Sequence, residues 1–98
     1  MAIIYKLLDP DTKEVRYIGA TTMRFLNSRL CVHVRKARLN IATSRLTDWI
    51  KTLIAQGKKP LIETIMLVDD KERYEAETTL IQAFKLVGHP LLNTYKMY

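Results

Sequence analysis

Two seven-residue runs, Ala2-Ile3-Ile4-Tyr5-Lys6-Leu7-Leu8 and Val15-Arg16-Tyr17-Ile18-Gly19-Ala20-Thr21, flank Asp9-Pro10-Asp11 and constrain the fold more than any other feature. Both are rich in β-branched and aromatic side chains, while the proline fixes a turn dihedral and the aspartates favour turn hydrogen bonds. So short a connection predicts an antiparallel hairpin with its register set near Leu8 and Glu14. On that register Tyr5 shares a face with Ile3 and Leu7, Tyr17 shares one with Val15 and Gly19, and the two rings align across the strands.

After Thr22 the hydrophobic period changes from two to between three and four. Thr21 and Thr22 can cap a helix start, and Leu26, Leu30, Val34 and Ala37 then predict a helix from about Met23 to Leu39. A second helix is expected from Thr43 or Ser44, with Leu46, Trp49, Ile50, Leu53 and Ile54 on one stripe and Gly57 as its stop. Leu61 to Val68, bounded by Pro60 and Asp69-Asp70, predicts a third strand. A third helix runs from Lys71 to Val87, where Gly88 and Pro90 end it and leave Leu91-Leu92-Asn93 to fold back onto the core. The order strand, strand, helix, helix, strand, helix fits one α/β domain over residues 1–98, a three-stranded sheet flanked by helices.

Lysine and arginine outnumber acids 16 to 10, for a net charge of +6 and a pI near 9.6. That balance points to a polyanionic partner. The basic residues are spread from Arg16 to Lys96 and not gathered on one amphipathic segment, which favours nucleic acid over a membrane surface. No apolar run approaches the roughly 20 residues of a membrane helix, and no signal peptide is read, so a reducing cytoplasm is the expected compartment. Cys31, the single cysteine, has no internal disulfide partner and reads as a packing residue.

Glu77 shares a helical stripe with Leu80, Ile81 and Phe84, so a carboxylate is aimed at the core. Burying it ionised costs several kcal/mol unless a cation or hydrogen bonds compensate. An arginine salt bridge and a bound metal both answer that need. Arg29 and His33, four residues apart, project from one side of the first helix beside its apolar stripe. The guanidinium suits a phosphate; the histidine can hydrogen-bond phosphate, relay a proton or serve structure alone. Taken alone, Tyr5 and Tyr17 are ordinary cross-strand aromatics.

Taken together, Ile3-Ile4-Tyr5, Tyr17-Ile18-Gly19, Leu26-Asn-Ser-Arg29-Leu-Cys-Val-His33, Glu77-Thr-Thr-Leu80-Ile81 and Leu92-Asn93 resemble the GIY-YIG nuclease family along nearly the whole chain. The style of the first two motifs is most similar to the phage and mobile-element branch, in which homing endonucleases occur. The resemblance implies a three-stranded mixed or antiparallel sheet flanked by helices and an endonuclease activity, with DNA the expected substrate. It makes Tyr5 and Tyr17 the paired tyrosines, Arg29 the helix arginine, His33 its companion, Glu77 the ligand of one Mg²⁺ or Mn²⁺, and Asn93 the asparagine that orders the site. One of the two tyrosines, Tyr5 ahead of Tyr17, is the expected proton acceptor, and the sequence does not decide between them. The first glycine of the family's name motif is Ile3 here, and homing and repair members append recognition domains, which leaves room for this chain to be a piece of a longer protein.

Arg24, Arg35 and Arg38, with Lys36, Lys58 and Lys59, are expected to track a phosphate backbone without reading bases. The alternative to a nuclease is a catalytically silent domain of the same fold that binds nucleic acid or a partner.

Overall fold

The computed structural model describes residues 1–22, 24–39 and 44–93. The Asp9 carboxylate closes the first turn by accepting the backbone N–H groups of Asp11 and Thr12 at 2.8 and 3.1 Å, and these hold it below the usual carboxylate range. The strands on either side are β1 (Ala2–Leu8) and β2 (Val15–Thr21), with the bounds expected. Their register is Leu7 with Tyr17 and Leu8 with Val15, so Arg16 is an extra residue in a β-bulge. The bulge carries Val15 off the tyrosine face and into the cluster of Ile4, Leu8 and Ile18. It also sets Tyr5 opposite Gly19, so that the two tyrosines are diagonal neighbours.

Helix α1 (Leu26–Arg38) begins later than the threonines suggest. Thr21 is spent as the last residue of β2, and Phe25 stands at the cap position without a side-chain hydrogen bond. Helix α2 (Arg45–Ala55) is capped by Ser44, whose hydroxyl accepts the Thr47 N–H at 3.1 Å; Thr43 lies outside the described residues. Gly57, at φ +73°, ends α2 with bonds from Gly57 N–H to the Ile54 carbonyl and from Lys58 N–H to that of Leu53. Such a left-handed cap favours glycine.

Strand β3 (Leu61–Val68) pairs with β1, and after a 3-10 turn over Asp70–Glu72, helix α3 (Arg73–Val87) runs to Gly88. The sheet order is β2-β1-β3 and both pairings are antiparallel, so of the mixed and antiparallel arrangements expected it is the antiparallel one that forms. The reason is the path of α1 and α2, which return the chain to the end of the sheet where β2 began. Leu61 consequently pairs with Leu8.

One face of the sheet packs Ile4, Leu8, Val15 and Ile18 against Ile81 of α3 and Leu91. On the other side α1 and α2 bury Val34, Ala37 and Ile50 together, with Leu30, Leu46, Trp49 and Ile54 around them. The segment after α3 does fold back: Leu92 N–H donates to the Arg16 carbonyl at 2.6 Å, along the outer edge of β2. No described helix is long and apolar enough to cross a membrane.

Candidate active site

Gly19 decides how the site is built. An alanine Cβ at this position would collide with the Tyr5 hydroxyl and ring, and would crowd the edge of Tyr17. With no side chain there, the Tyr5 ring lies across β2 toward α1. Tyr5 is wholly buried, at 0% exposure, and its hydroxyl is fixed by two neighbours from α1. Arg29 Nε–H donates to it at 3.3 Å, and the hydroxyl in turn lies 2.8 Å from His33 Nε2.

His33 is buried rather than at the margin of the core. Its pKa falls to about 4, chiefly through burial and further through the charges of Arg29 and Lys36. The ring is therefore neutral at pH 7, and since Nε2 is the acceptor for the buried Tyr5 proton among the described residues, the hydrogen of the ring is assigned to Nδ1. Arg29, Tyr5 and His33 thus form a donor chain running in one direction. Burial raises the Tyr5 pKa, against the pull of Arg29.

Tyr17 occupies a different environment. It is half-buried and lines a cavity of about 300 Å³ together with Glu77, Asn93, Ser44, Ile81 and Leu92. The cavity is walled by β2, α3, the start of α2 and the returning segment. Burial first, then the neighbouring Tyr5 and Glu77, push the Tyr17 phenol up to about 12, while Arg29 opposes them. The rings of Tyr5 and Tyr17 are 6.4 Å apart, and that of His33 stands edge-on to Tyr17 at 5.7 Å.

Glu77 sits at the margin of the α3 stripe, half-buried, with Ala76, Leu80, Ile81 and Phe84 packed into the core beside it. Burial raises its pKa and the Arg73 charge partly offsets this. No ion pair to Glu77 is formed among the described residues. No group of three or more histidine, cysteine, aspartate or glutamate side chains placed to hold a metal occurs among them either. Glu77 alone on this cavity does not make an all-protein cage for a metal.

Asn93 is a structural clasp. Its side chain accepts the Ile18 N–H at 3.0 Å and donates to the Ile18 carbonyl at 2.8 Å, reproducing a strand's pairing on the edge of β2 beside Tyr17. The structure thus brings Tyr5, Arg29 and His33 into one chain and Tyr17, Glu77 and Asn93 around one cavity. Ser44 and Leu92 belong to that cavity too. The sequence marks Ser44 only as a helix start and Leu92 only beside Asn93, because the packing of α2 and the return of the chain after Pro90 are what put them on the cavity.

Of the expected backbone-tracking cations, Arg24, Arg35, Lys36, Arg38 and Lys59 are exposed, Arg24 lying 5.6 Å over the Phe25 ring. Lys58, on the connection between α2 and β3, is paired with Asp11 of the first turn, so its ammonium is partly engaged. Cys31 is exposed and not a core thiol. His89 stacks on Phe84 at 4.9 Å, away from the site. In comparisons with protein-family models, curated proteins and solved structures, none matched the chain.

Proposed function

We propose that this chain is an endonuclease of the GIY-YIG type, hydrolysing phosphodiester bonds in nucleic acid, with DNA as the expected substrate. The observation that carries the reading is the phenol of Tyr17 and the carboxylate of Glu77 on one cavity, with no ion pair to Glu77 among the described residues and the Arg29 charge near enough to act on Tyr17. The order β2-β1-β3 with flanking helices supports it as a fold able to hold those groups.

Glu77 would hold one Mg²⁺ or Mn²⁺, which when bound supplies neutralising charge to the phosphodiester. Arg29 contributes its guanidinium to the same phosphate. Its Nε–H is committed to Tyr5, so its Nη donors are left to stabilise the charge that grows on the phosphoryl oxygens. Tyr5, wholly buried, cannot meet the attacking water; it and His33 position Arg29. The proton acceptor is Tyr17, which opens on the cavity.

As a phenolate, Tyr17 removes a proton from water, and the resulting hydroxide forms a new P–O bond as the bond to the leaving oxygen breaks. That oxygen then takes a proton from solvent. A pKa of about 12 leaves little of the phenol ionised near neutral pH, and one of its causes is the negative charge of Glu77. Neutralising that charge removes this cause, while burial, the largest, and the neighbouring Tyr5 still outweigh the downward pull of Arg29. Arg24 and Lys36 would hold the strand by its phosphates.

The burial that raises both phenols also favours a second reading, nucleic-acid binding without cleavage. The experiment that separates the two is nicking of supercoiled plasmid by the purified chain in Mg²⁺ or Mn²⁺, against a chelated control and against Glu77→Gln. Metal-dependent nicking lost in Glu77→Gln supports the nuclease; binding without nicking under every metal condition defeats it.

A further inference from the structure

A larger cavity, about 490 Å³, lies away from Tyr17 and Glu77, along the outer face of α1. Its floor is Leu30, Val34 and Leu39 with the exposed Cys31, and its rim carries Arg35, Arg38 and Lys59. None of the lining residues is acidic. An apolar cavity bordered by a few convergent charges is the usual form of a ligand site.

We propose that this groove binds an acidic amphipathic helix of a protein partner, with apolar side chains seated on Leu30, Val34 and Leu39 and carboxylates meeting Arg35, Arg38 and Lys59. The geometry is that of a helix in a groove: from Leu30 to Leu39 the floor runs roughly 13 Å along α1, the span of two anchors about two and a half turns apart. The charge is complementary, since every ionised group on the rim is a cation. A phosphodiester backbone would satisfy the rim but has no group to cover the apolar floor. A lipid bilayer receives protruding apolar side chains, whereas this floor is concave. The proposal needs only the groove and stands whether or not the chain cleaves nucleic acid.

Cys31, the single cysteine, lies in the groove and reports its occupancy. The probe is a fluorescein-labelled helical peptide of about 15 residues with leucines at helical spacing and flanking glutamates. Its binding is measured by anisotropy, and the rate of Cys31 alkylation by iodoacetamide is followed in parallel. The expected result is saturable binding, slowed alkylation, and at least about tenfold weaker binding to Leu39→Asp and to Arg38→Glu, both at exposed positions whose replacement leaves the core intact. A serine-for-leucine peptide and a lysine-for-glutamate peptide are both expected to fail.

Equal binding by the serine peptide would reduce the site to general charge attraction and overturn the proposal. So would unaltered Cys31 alkylation at saturating peptide. Protection of Cys31 by a short oligonucleotide or by phosphatidylglycerol vesicles, but not by the peptide, would assign the groove to those ligands instead.

Discussion

The Nε of Arg29 and the hydroxyl of Tyr5, 24 residues apart in sequence, meet at 3.3 Å, and the same hydroxyl reaches His33 Nε2 at 2.8 Å. A single buried oxygen thus fixes two groups of α1 to the central strand. Tyr5→Phe removes it with almost no change of shape, leaving His33 Nε2 unsatisfied in the interior. The expected loss is about 1–3 kcal/mol of stability. If Arg29 acts on phosphate as proposed, its loosened guanidinium lowers kcat by about ten- to a hundredfold with KM little changed. Urea titration and cleavage kinetics check the two parts separately; a drop in stability with full kcat would confine Tyr5 to packing.

Gly19→Ala tests the same arrangement from the opposite strand. The added Cβ enters the space of the Tyr5 ring, and that ring has nowhere to go, being wholly buried against α1. Overpacking of this kind costs about 1–3 kcal/mol. The expected signature is a shift in the histidine ring resonances of His33 as the hydrogen bond from Tyr5 is broken, together with a lower urea midpoint. Unmoved His33 signals would show that the ring can yield without loss of the bond.

His33 gives the fold a pH dependence whose sign follows from its lowered pKa. The folded ring protonates near pH 4 and the unfolded one near 6.5, so between these values the unfolded chain binds more protons. Stability is full above about pH 6.5, declines as pH falls toward 4, and the total change is roughly 3 kcal/mol. Urea unfolding at several pH values across this window checks it. In His33→Gln, which keeps a polar group but cannot titrate, the slope assigned to this residue is expected to vanish.

The elements were legible in the sequence because their boundaries are chemical: Pro60, Gly57 and Gly88 end or begin them where the structure does. What local pattern could not supply was register and depth. One extra residue at Arg16 moves Val15 to the other face, and no composition signal marks such a bulge. Tyr5 and Tyr17 look equivalent in sequence, yet α1 lies over one and the other opens on the Glu77 cavity, so their separate environments come from packing between distant segments. Asn93 was readable as an ordering residue, while its pairing with the Ile18 backbone required the chain to return after Pro90.

Glu77→Gln separates the carboxylate's chemistry from its packing. Burial raises the pKa of Glu77, so the neutral amide of the same shape is tolerated and the urea midpoint at pH 7 is expected not to fall. Metal-dependent nicking, under the proposed function, is expected to drop at least a hundredfold, to about the chelated background. Nicking retained at the wild-type rate would exclude Glu77 as the metal ligand, whatever the stability shows.

Asn93→Ala should expose how far the site depends on the returning segment. The change strips both partners from the Ile18 backbone on the edge of β2, in a place where the wild-type side chain is buried. Two such unsatisfied groups cost about 2–4 kcal/mol if water stays out, and less if Leu91 and Leu92 peel away to admit it. Hydrogen exchange distinguishes these outcomes. Rapid exchange at Ile18 alone means a local opening, whereas rapid exchange through Leu92 as well means the clasp has released. Since Leu92 and Asn93 both wall the cavity shared by Tyr17 and Glu77, release is expected, under the proposed function, to abolish nicking along with protection.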